Sequence, residues 1–113
     1  MKYLCLVYLS KEKWNACRDE TCFNYVQQLQ ASGNLIDGQA LHSIETATTL
    51  RVRNGQLSVV DEPFAETKEQ LAGFYLLDAT DLNDAIRLAS KIPPIEYGTI
   101  EVRPVRELDV SQP

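Results

Sequence analysis

The sequence predicts an α+β domain of the ferredoxin-like class, in which a split β-α-β unit forms one sheet. Two apolar segments have the length of buried strands, and two other segments carry apolar residues at helical spacing. Their order along the chain is β-α-β-β-α-β if one β-hairpin is treated as an insertion. At 113 residues the chain has the length of one domain, so residues 1–113 are interpreted as a single unit.

Residues 3–9 predict the first strand because they are apolar at nearly every position, as in a central strand covered on both faces. A helix is predicted over residues 19–32, followed by a stop at Gly33, a residue type that accepts the left-handed conformation. The apolar stripe of this helix consists of Cys22, Val26 and Leu29.

A second extended segment is predicted over residues 35–44, with a bulge or bend at Gly38. Segments 46–53 and 56–60 alternate in polarity around Asn54-Gly55. Asn-Gly between alternating strands is a strong sign of a two-residue hairpin, so these segments predict the inserted β-hairpin.

The second half of the chain repeats the strand, helix and strand order. Residues 73–79 predict another central strand. A helix over residues 82–92 is predicted to begin after Asp81 as the N-cap and to stop at Pro93. Alternation over residues 99–105 predicts the last strand.

Helices on one face of such a sheet leave its other face uncovered. Because the strands at 3–9 and 73–79 are apolar on both sides, that face needs a cover. A second copy of the chain is the simplest one. The sequence therefore predicts a homodimer, with a cavity between the sheets or beside an acidic segment at residues 61–70.

Composition excludes several classes of function. With 44% hydrophobic and 24% charged residues the chain is typical of a globular protein, and a net charge of −5 argues against a nucleic-acid partner. The apolar N-terminal run is too short for a membrane span and lacks a cleavage site, which predicts a cytoplasmic protein. The three cysteines are an odd number without zinc or redox spacing, so reduced thiols and no metal or cofactor are predicted.

The acidic segment is the main candidate for chemistry. It reads DEPFAETKEQ, and Glu66–Glu69 is interpreted as one helical turn between two strands. Carboxylates serve as general bases and a lysine binds anions, so Asp61, Glu66 and Lys68 are candidate catalytic residues and Glu69 a candidate ligand-binding residue. The alternative is a solvated turn without chemistry.

Four further residues are candidates. His42 is the single histidine and is suited to proton transfer near neutral pH, although a surface or packing role is the alternative. Glu101 and Arg103 share one face of the last strand, where the arginine would hold a carboxylate ligand or form a structural ion pair. Tyr75 would contribute a hydroxyl group to a cavity, or serve as a core aromatic residue.

Residues 61–79, DEPFAETKEQLAGFYLLDA, resemble the motif of the DGPF branch of the YCII-related (YciI-like) family, in which DGPFAETKE precedes an apolar strand. Residues 46–55 and 97–105 resemble the segment before the motif and the family's closing strand, so the resemblance covers most of the chain. It implies a dimeric α+β barrel, in agreement with the predicted cover of the sheet. It also implies a small cytoplasmic protein, and some DGPF relatives are associated with extracytoplasmic-function sigma factors.

Two departures from the family pattern matter. Glu62 stands where the motif has glycine, which adds a carboxylate to the segment. The histidine near the first helix of the YciI branch has no counterpart in residues 19–24, so a His and Asp mechanism is not carried over.

Two hypotheses about function follow. The first is a small dimeric protein that binds a small polar or aromatic acid near the acidic segment, and whose chemistry, where there is any, is proton transfer or elimination. The second is a non-enzymatic accessory protein that binds a protein partner, such as an extracytoplasmic-function sigma factor, through the acidic segment or the hairpin.

Overall fold

The computed structural model describes residues 1–111, and its helices and strands follow one another along the chain in the predicted order. The elements are β1 (Lys2–Ser10), α1 (Asp19–Ser32), β2 (Leu35–Ala40), β3 (Thr49–Arg53), β4 (Gln56–Val60), β5 (Glu69–Asp78), α2 (Leu82–Ala89) and β6 (Thr99–Pro104). Four strands form an antiparallel sheet in the order β2-β5-β1-β6, while β3 and β4 form a separate two-stranded sheet. This α+β arrangement is compatible with the ferredoxin-like class.

The core lies between the four-stranded sheet and the two helices. Alternate residues of β1 point into it, because successive side chains of a strand face opposite sides. Of the predicted stripe on α1, Leu29 is fully buried, and Tyr25 is a core residue that the stripe omitted. The Tyr25 hydroxyl donates a hydrogen bond to the Leu88 carbonyl oxygen at 2.6 Å, which ties α1 to α2.

The opposite face of the sheet is apolar at its centre, and no helix of residues 1–111 lies on it. Five half-buried side chains from the two central strands form this open face: Leu4, Leu6, Tyr8, Phe74 and Leu76. On the neighbouring strand β6, Glu101 pairs with Leu6 and Arg103 with Leu4, so charged side chains border the apolar centre.

Turn residues behave as the sequence predicts. Gly33 ends α1 in the left-handed conformation, with φ of 78°. The Asp81 side chain caps α2 by accepting a hydrogen bond from the Asp84 N–H at 2.8 Å. Asn54 and Gly55 have φ values of 53° and 73°, as a type I′ turn requires, and they join β3 to β4.

Three local predictions are wrong. Residues 66–69 form no helical turn: 66 and 67 have no regular secondary structure, 68 is a bend, and Glu69 starts β5 by pairing with Ser10 in the sheet. The extended segment predicted over 35–44 ends at Ala40, and residues 44–46 form a 3₁₀ turn. The irregularity in β2 lies between Leu35 and Asp37 and not at Gly38.

A bulge interrupts the central pair of strands. Val7 pairs with Gly73 and the next residue, Tyr8, pairs with Leu71, so Ala72 is an extra residue on β5. Within residues 1–111, no helix has the length and apolar character to cross a membrane.

Candidate functional site

The acidic segment borders a cavity of about 870 Å³ at the end of β1, which we call the first cavity. Three of the predicted catalytic residues, Asp61, Glu66 and Lys68, lie on its wall. Residues of the loop after β1 line the other side, among them Lys11 and Trp14. The cavity therefore combines anionic, cationic and aromatic groups.

Side-chain hydrogen bonds hold the acidic segment in place, since most of it has no regular secondary structure. The Thr49 hydroxyl donates to the Glu62 carbonyl oxygen at 2.6 Å, and the Arg51 guanidinium donates to the Phe64 carbonyl oxygen at 3.4 Å. From β5, the Gln70 amide donates to the carbonyl oxygens of Ala65 at 2.8 Å and of Thr67 at 3.3 Å. The hairpin and β5 thus position the segment together, and satisfied carbonyl groups favour one conformation.

The two lysines of the first cavity differ in their partners. Lys11 forms an ion pair with Glu45 at 3.6 Å. Hydrogen bonds from the Ser43 hydroxyl and from its own backbone lower the pKa of Glu45, and the charge of Lys11 adds to this. Over the described residues 1–111, Lys68 has no carboxylate within the 4.0 Å of an ion pair. Lys68 is therefore the cation of this wall that an anionic ligand can use.

Asp61 and Lys68 are connected to the rest of the site by weak contacts. The Thr48 hydroxyl donates to Asp61 Oδ1 at a long distance, 3.4 Å. Lys68 interacts with the exposed carboxylate of Glu12 only through its charge. Hydrogen bonds from the Glu12 backbone and from the Ser10 hydroxyl lower the pKa of Glu12, and the charge of Lys68 lowers it further. Both side chains are thus free to exchange these contacts for a ligand.

Glu69 does not lie with the other residues of the acidic segment. It starts β5, and its Oε1 accepts a hydrogen bond from the Thr99 hydroxyl at 2.7 Å. The predicted helical spacing from Glu66 is wrong for this reason, and the structure places Gln70 on the first cavity instead.

His42 and Tyr75 line a second cavity of about 770 Å³, beside α1 and β2. His42 is exposed, whereas Tyr75 is 8% exposed and packs in the core. Burial raises the pKa of Tyr75, with nearby Cys22 and Cys17 adding to the effect, so its hydroxyl stays protonated. Trp14 lines both cavities.

Glu101 and Arg103 lie on the edge of the open face, away from both cavity linings. Glu101 Oε1 accepts a hydrogen bond from the Tyr8 hydroxyl at 3.2 Å. Partial burial raises the pKa of Tyr8, and the bond to Glu101 raises it further. The eight predicted residues are thus distributed over the first cavity, the second cavity and the sheet.

Sequence reasoning missed residues that hold or line the first cavity: Lys11, Trp14, Thr48, Thr49 and Gln70. The register of the hairpin would have identified two of them, Thr48 and Thr49. Thr49 pairs with Val60 in the hairpin, and the same register continued by one residue sets Thr48 opposite Asp61. Lys11 and Trp14 come from a polar loop whose position depends on the fold, so no local pattern marks them.

The groups on the first cavity suit acid and base chemistry. A carboxylate accepts a proton or binds a hydroxyl or amino group, and a lysine binds an anion. The residues from Met1 to Ser111 contain no cluster of three or more His, Cys, Asp or Glu side chains that would hold a metal ion.

A family model described as the YCII-related domain matches residues 1–109. The chain belongs to the YCII-related family. A protein of Rhizobium meliloti (strain 1021) that is named only as uncharacterized is 37% identical over 98 residues, covering 81% of this chain and 79% of the relative. The match to the YCII-related domain runs from β1 past β6, so both cavities and the open face lie within it.

Proposed function

We propose that this protein binds a small polar or aromatic acid in the first cavity and acts as a homodimer of the DGPF branch. The observation that carries the binding proposal is that Lys68 lies on the cavity wall without a carboxylate partner among residues 1–111, together with Trp14, Asp61 and Glu66.

The charged and aromatic side chains of the first cavity restrict which ligands fit it. Lys68 would bind the ligand's carboxylate, and the ring of Trp14 would pack against an aromatic or planar part. Because Asp61 and Glu66 repel a second negative charge, the ligand should carry hydroxyl or amino donors that face them. A hydroxy, amino or aromatic acid with one carboxylate fits this arrangement.

The same groups suit proton transfer or elimination. Asp61 or Glu66 would accept a proton from the carbon or heteroatom beside the carboxylate, while Lys68 holds that carboxylate in place. His42 lies on the second cavity and takes no part in this proposal.

A thermal-shift measurement with hydroxy, amino and aromatic acids tests the binding proposal. A ligand at ten times its Kd should stabilise the protein by about 1.4 kcal/mol, and raise its melting temperature by about 5 °C. Lys68→Met should abolish the shift, whereas Lys91→Met, an exposed lysine beyond α2, should keep it.

The role of the carboxylates in ligand binding is tested with a matched control variant as well. Glu66→Gln should weaken the shift, and Glu107→Gln, an exposed carboxylate far along the chain, should not. If no acid of the panel stabilises the wild-type protein at millimolar concentration, or if Lys68→Met responds like the wild type, the binding proposal is wrong.

The homodimer is supported by the surface of the single chain. Its accessible area is 8318 Å², about 2,100 Å² more than the roughly 6,200 Å² expected of a compact protein of 12.7 kDa. Obligate dimers bury about 1,000–2,500 Å² on each chain. We place the interface on the open face, where Glu101 and Arg103 border the apolar side chains, as the dimeric α+β barrel implied by the family resemblance requires.

The exposed hairpin supports the second candidate function, an accessory protein that binds a protein partner such as an extracytoplasmic-function sigma factor. Paired residues put Leu50 with Val59 and Val52 with Leu57 on one face of the hairpin. Each is more than half exposed, and Leu57 reaches 66%. An isolated two-stranded hairpin with an uncovered apolar face is typical of a surface that a partner covers.

A further inference from the structure

Two cysteines meet at the beginning of α1. The sulfur atoms of Cys17 and Cys22 lie 3.1 Å apart, and both side chains are half-buried. Both residues line the second cavity, so small molecules in that cavity reach the thiols. The remaining cysteine, Cys5, is fully buried in β1, and burial raises its pKa to about 11.

We propose that Cys17 and Cys22 form a reversible disulfide bond when the protein meets hydrogen peroxide. The sulfur atoms need to approach by only about 1 Å to reach the disulfide bond length of about 2.05 Å. Cys17 lies in the loop before α1, so a small movement of that loop closes the bond without disturbing the helix.

The surroundings of the two thiols assign their roles. Burial raises the pKa of Cys22, and its hydrogen bond with Cys17 raises it further, so Cys22 keeps its proton at neutral pH. We assign the first attack on the oxidant to Cys17, because it lies in the loop outside α1 while Cys22 is held within the helix. Cys22 is the resolving thiol that follows.

The reaction balances with one molecule of peroxide. The Cys17 sulfur attacks a peroxide oxygen, the O–O bond breaks, and the released hydroxide takes up the proton that Cys17 loses to form water. The Cys22 sulfur then attacks the sulfenic acid on Cys17, the S–O bond breaks, and the leaving hydroxide takes the Cys22 proton to form a second water. Two electrons pass from the sulfur atoms to peroxide, and a dithiol reductant reverses the change.

Trp14 provides a second readout besides thiol chemistry. It is the single tryptophan, and it precedes Cys17 in the same loop and lines the same cavity. A bond from Cys17 to Cys22 restrains this loop against α1. The fluorescence of Trp14 should therefore change on oxidation and recover on reduction.

The test treats the full chain with a small excess of peroxide and counts free thiols after denaturation. Titratable thiols should fall from three to one, and the intact mass should decrease by about 2 Da. Peptide mapping without reductant should find Cys17 joined to Cys22, and dithiothreitol should restore all thiols. Cys22→Ser should show none of the mass decrease and no reversible change in Trp14 fluorescence.

Two results would overturn the proposal. One is a wild-type protein that keeps all its thiols at a peroxide dose that oxidises free cysteine. The other is a disulfide that maps to Cys5 or joins two chains. Both are read on the wild-type protein, so they do not depend on whether Cys22→Ser folds.

Discussion

At the scale of single residues, Gly98 shows how closely β6 approaches β1. A Cβ atom at this position would overlap the Tyr8 carbonyl oxygen and would lie 2.7 Å from Leu9 Cδ2. The backbone φ is not what requires glycine here, because the limit is space. A Cβ at Gly73 would lie 2.8 Å from the Gln39 carbonyl oxygen, and one at Gly38 would lie 3.3 Å from the Phe74 carbonyl oxygen.

Alanine at each of these three glycines should therefore destabilise the protein, and the loss of stability should be larger where the space for a Cβ atom is smaller. Gly98→Ala should lower the free energy of unfolding by about 2–3 kcal/mol, because β6 has to move away from β1. Gly73→Ala should cost less, and Gly38→Ala should cost least. Urea unfolding at equilibrium measures the order, and a Gly98→Ala protein as stable as the wild type would show that the contact is absent.

At the scale of elements, the sequence predicted those boundaries that are set by turn and cap residues within the same segment. Asn54-Gly55 and Gly33 act through their own backbone and Asp81 through a side-chain cap, so the hairpin turn, the end of α1 and the start of α2 were predicted correctly, whereas α2 ends at Ala89 and not at residue 92. Residues 66–69 lacked such a signal, because four residues are too few to show a helical period, and pairing with Ser10 makes Glu69 a strand residue. The meeting of Cys17 with Cys22 depends on how the loop returns to α1, and five-residue spacing does not reveal it.

The hairpin is the element on which the accessory-protein alternative depends. Leu57→Thr with Val59→Thr keeps residues that favour strands and removes two of the four apolar side chains of this face. If the alternative holds, isothermal titration with a purified extracytoplasmic-function sigma factor should show binding to the wild type and at least a tenfold loss for this double variant, a change of about 1.4 kcal/mol. Ser58→Ala, on the polar face, should bind like the wild type. Absent binding by the wild type would contradict this function.

At the scale of the whole molecule, the single chain is more extended than a compact domain. Its radius of gyration is 16.3 Å, compared with about 13 Å expected for a domain of this length. The sequence predicted the uncovered face of the sheet, since the central strands are apolar on both sides. It gave no sign of how the cavities divide the predicted site, because that depends on the path of the loop carrying Trp14.

A charge on the open face should separate the proposed dimer. Leu6→Asp places a carboxylate where the partner's apolar side chains would surround it, and this should raise the dimer dissociation constant at least about 100-fold. Light scattering should then give 12.7 kDa instead of twice that mass. Leu57→Asp on the hairpin is the control and should remain dimeric. A wild-type protein that is monomeric at micromolar concentration would contradict the dimer.

The extra residue Ala72 decides which side chain serves the first cavity. In a regular strand, side chains alternate between the two faces of the sheet. Alternation along β5 from the buried Tyr75 and Leu77 would place Glu69 on the same face as Leu9 and Gln70 on the opposite face. The bulge shifts this count by one, so Gln70 pairs with Leu9 and Glu69 meets Thr99. Since a carboxylate could not donate to the carbonyl oxygens of Ala65 and Thr67, gaining or losing one residue here would replace the donor with a negative charge. In related proteins, the number of residues between Phe74 and the acidic segment should therefore determine the polarity of this cavity as much as the type of those residues.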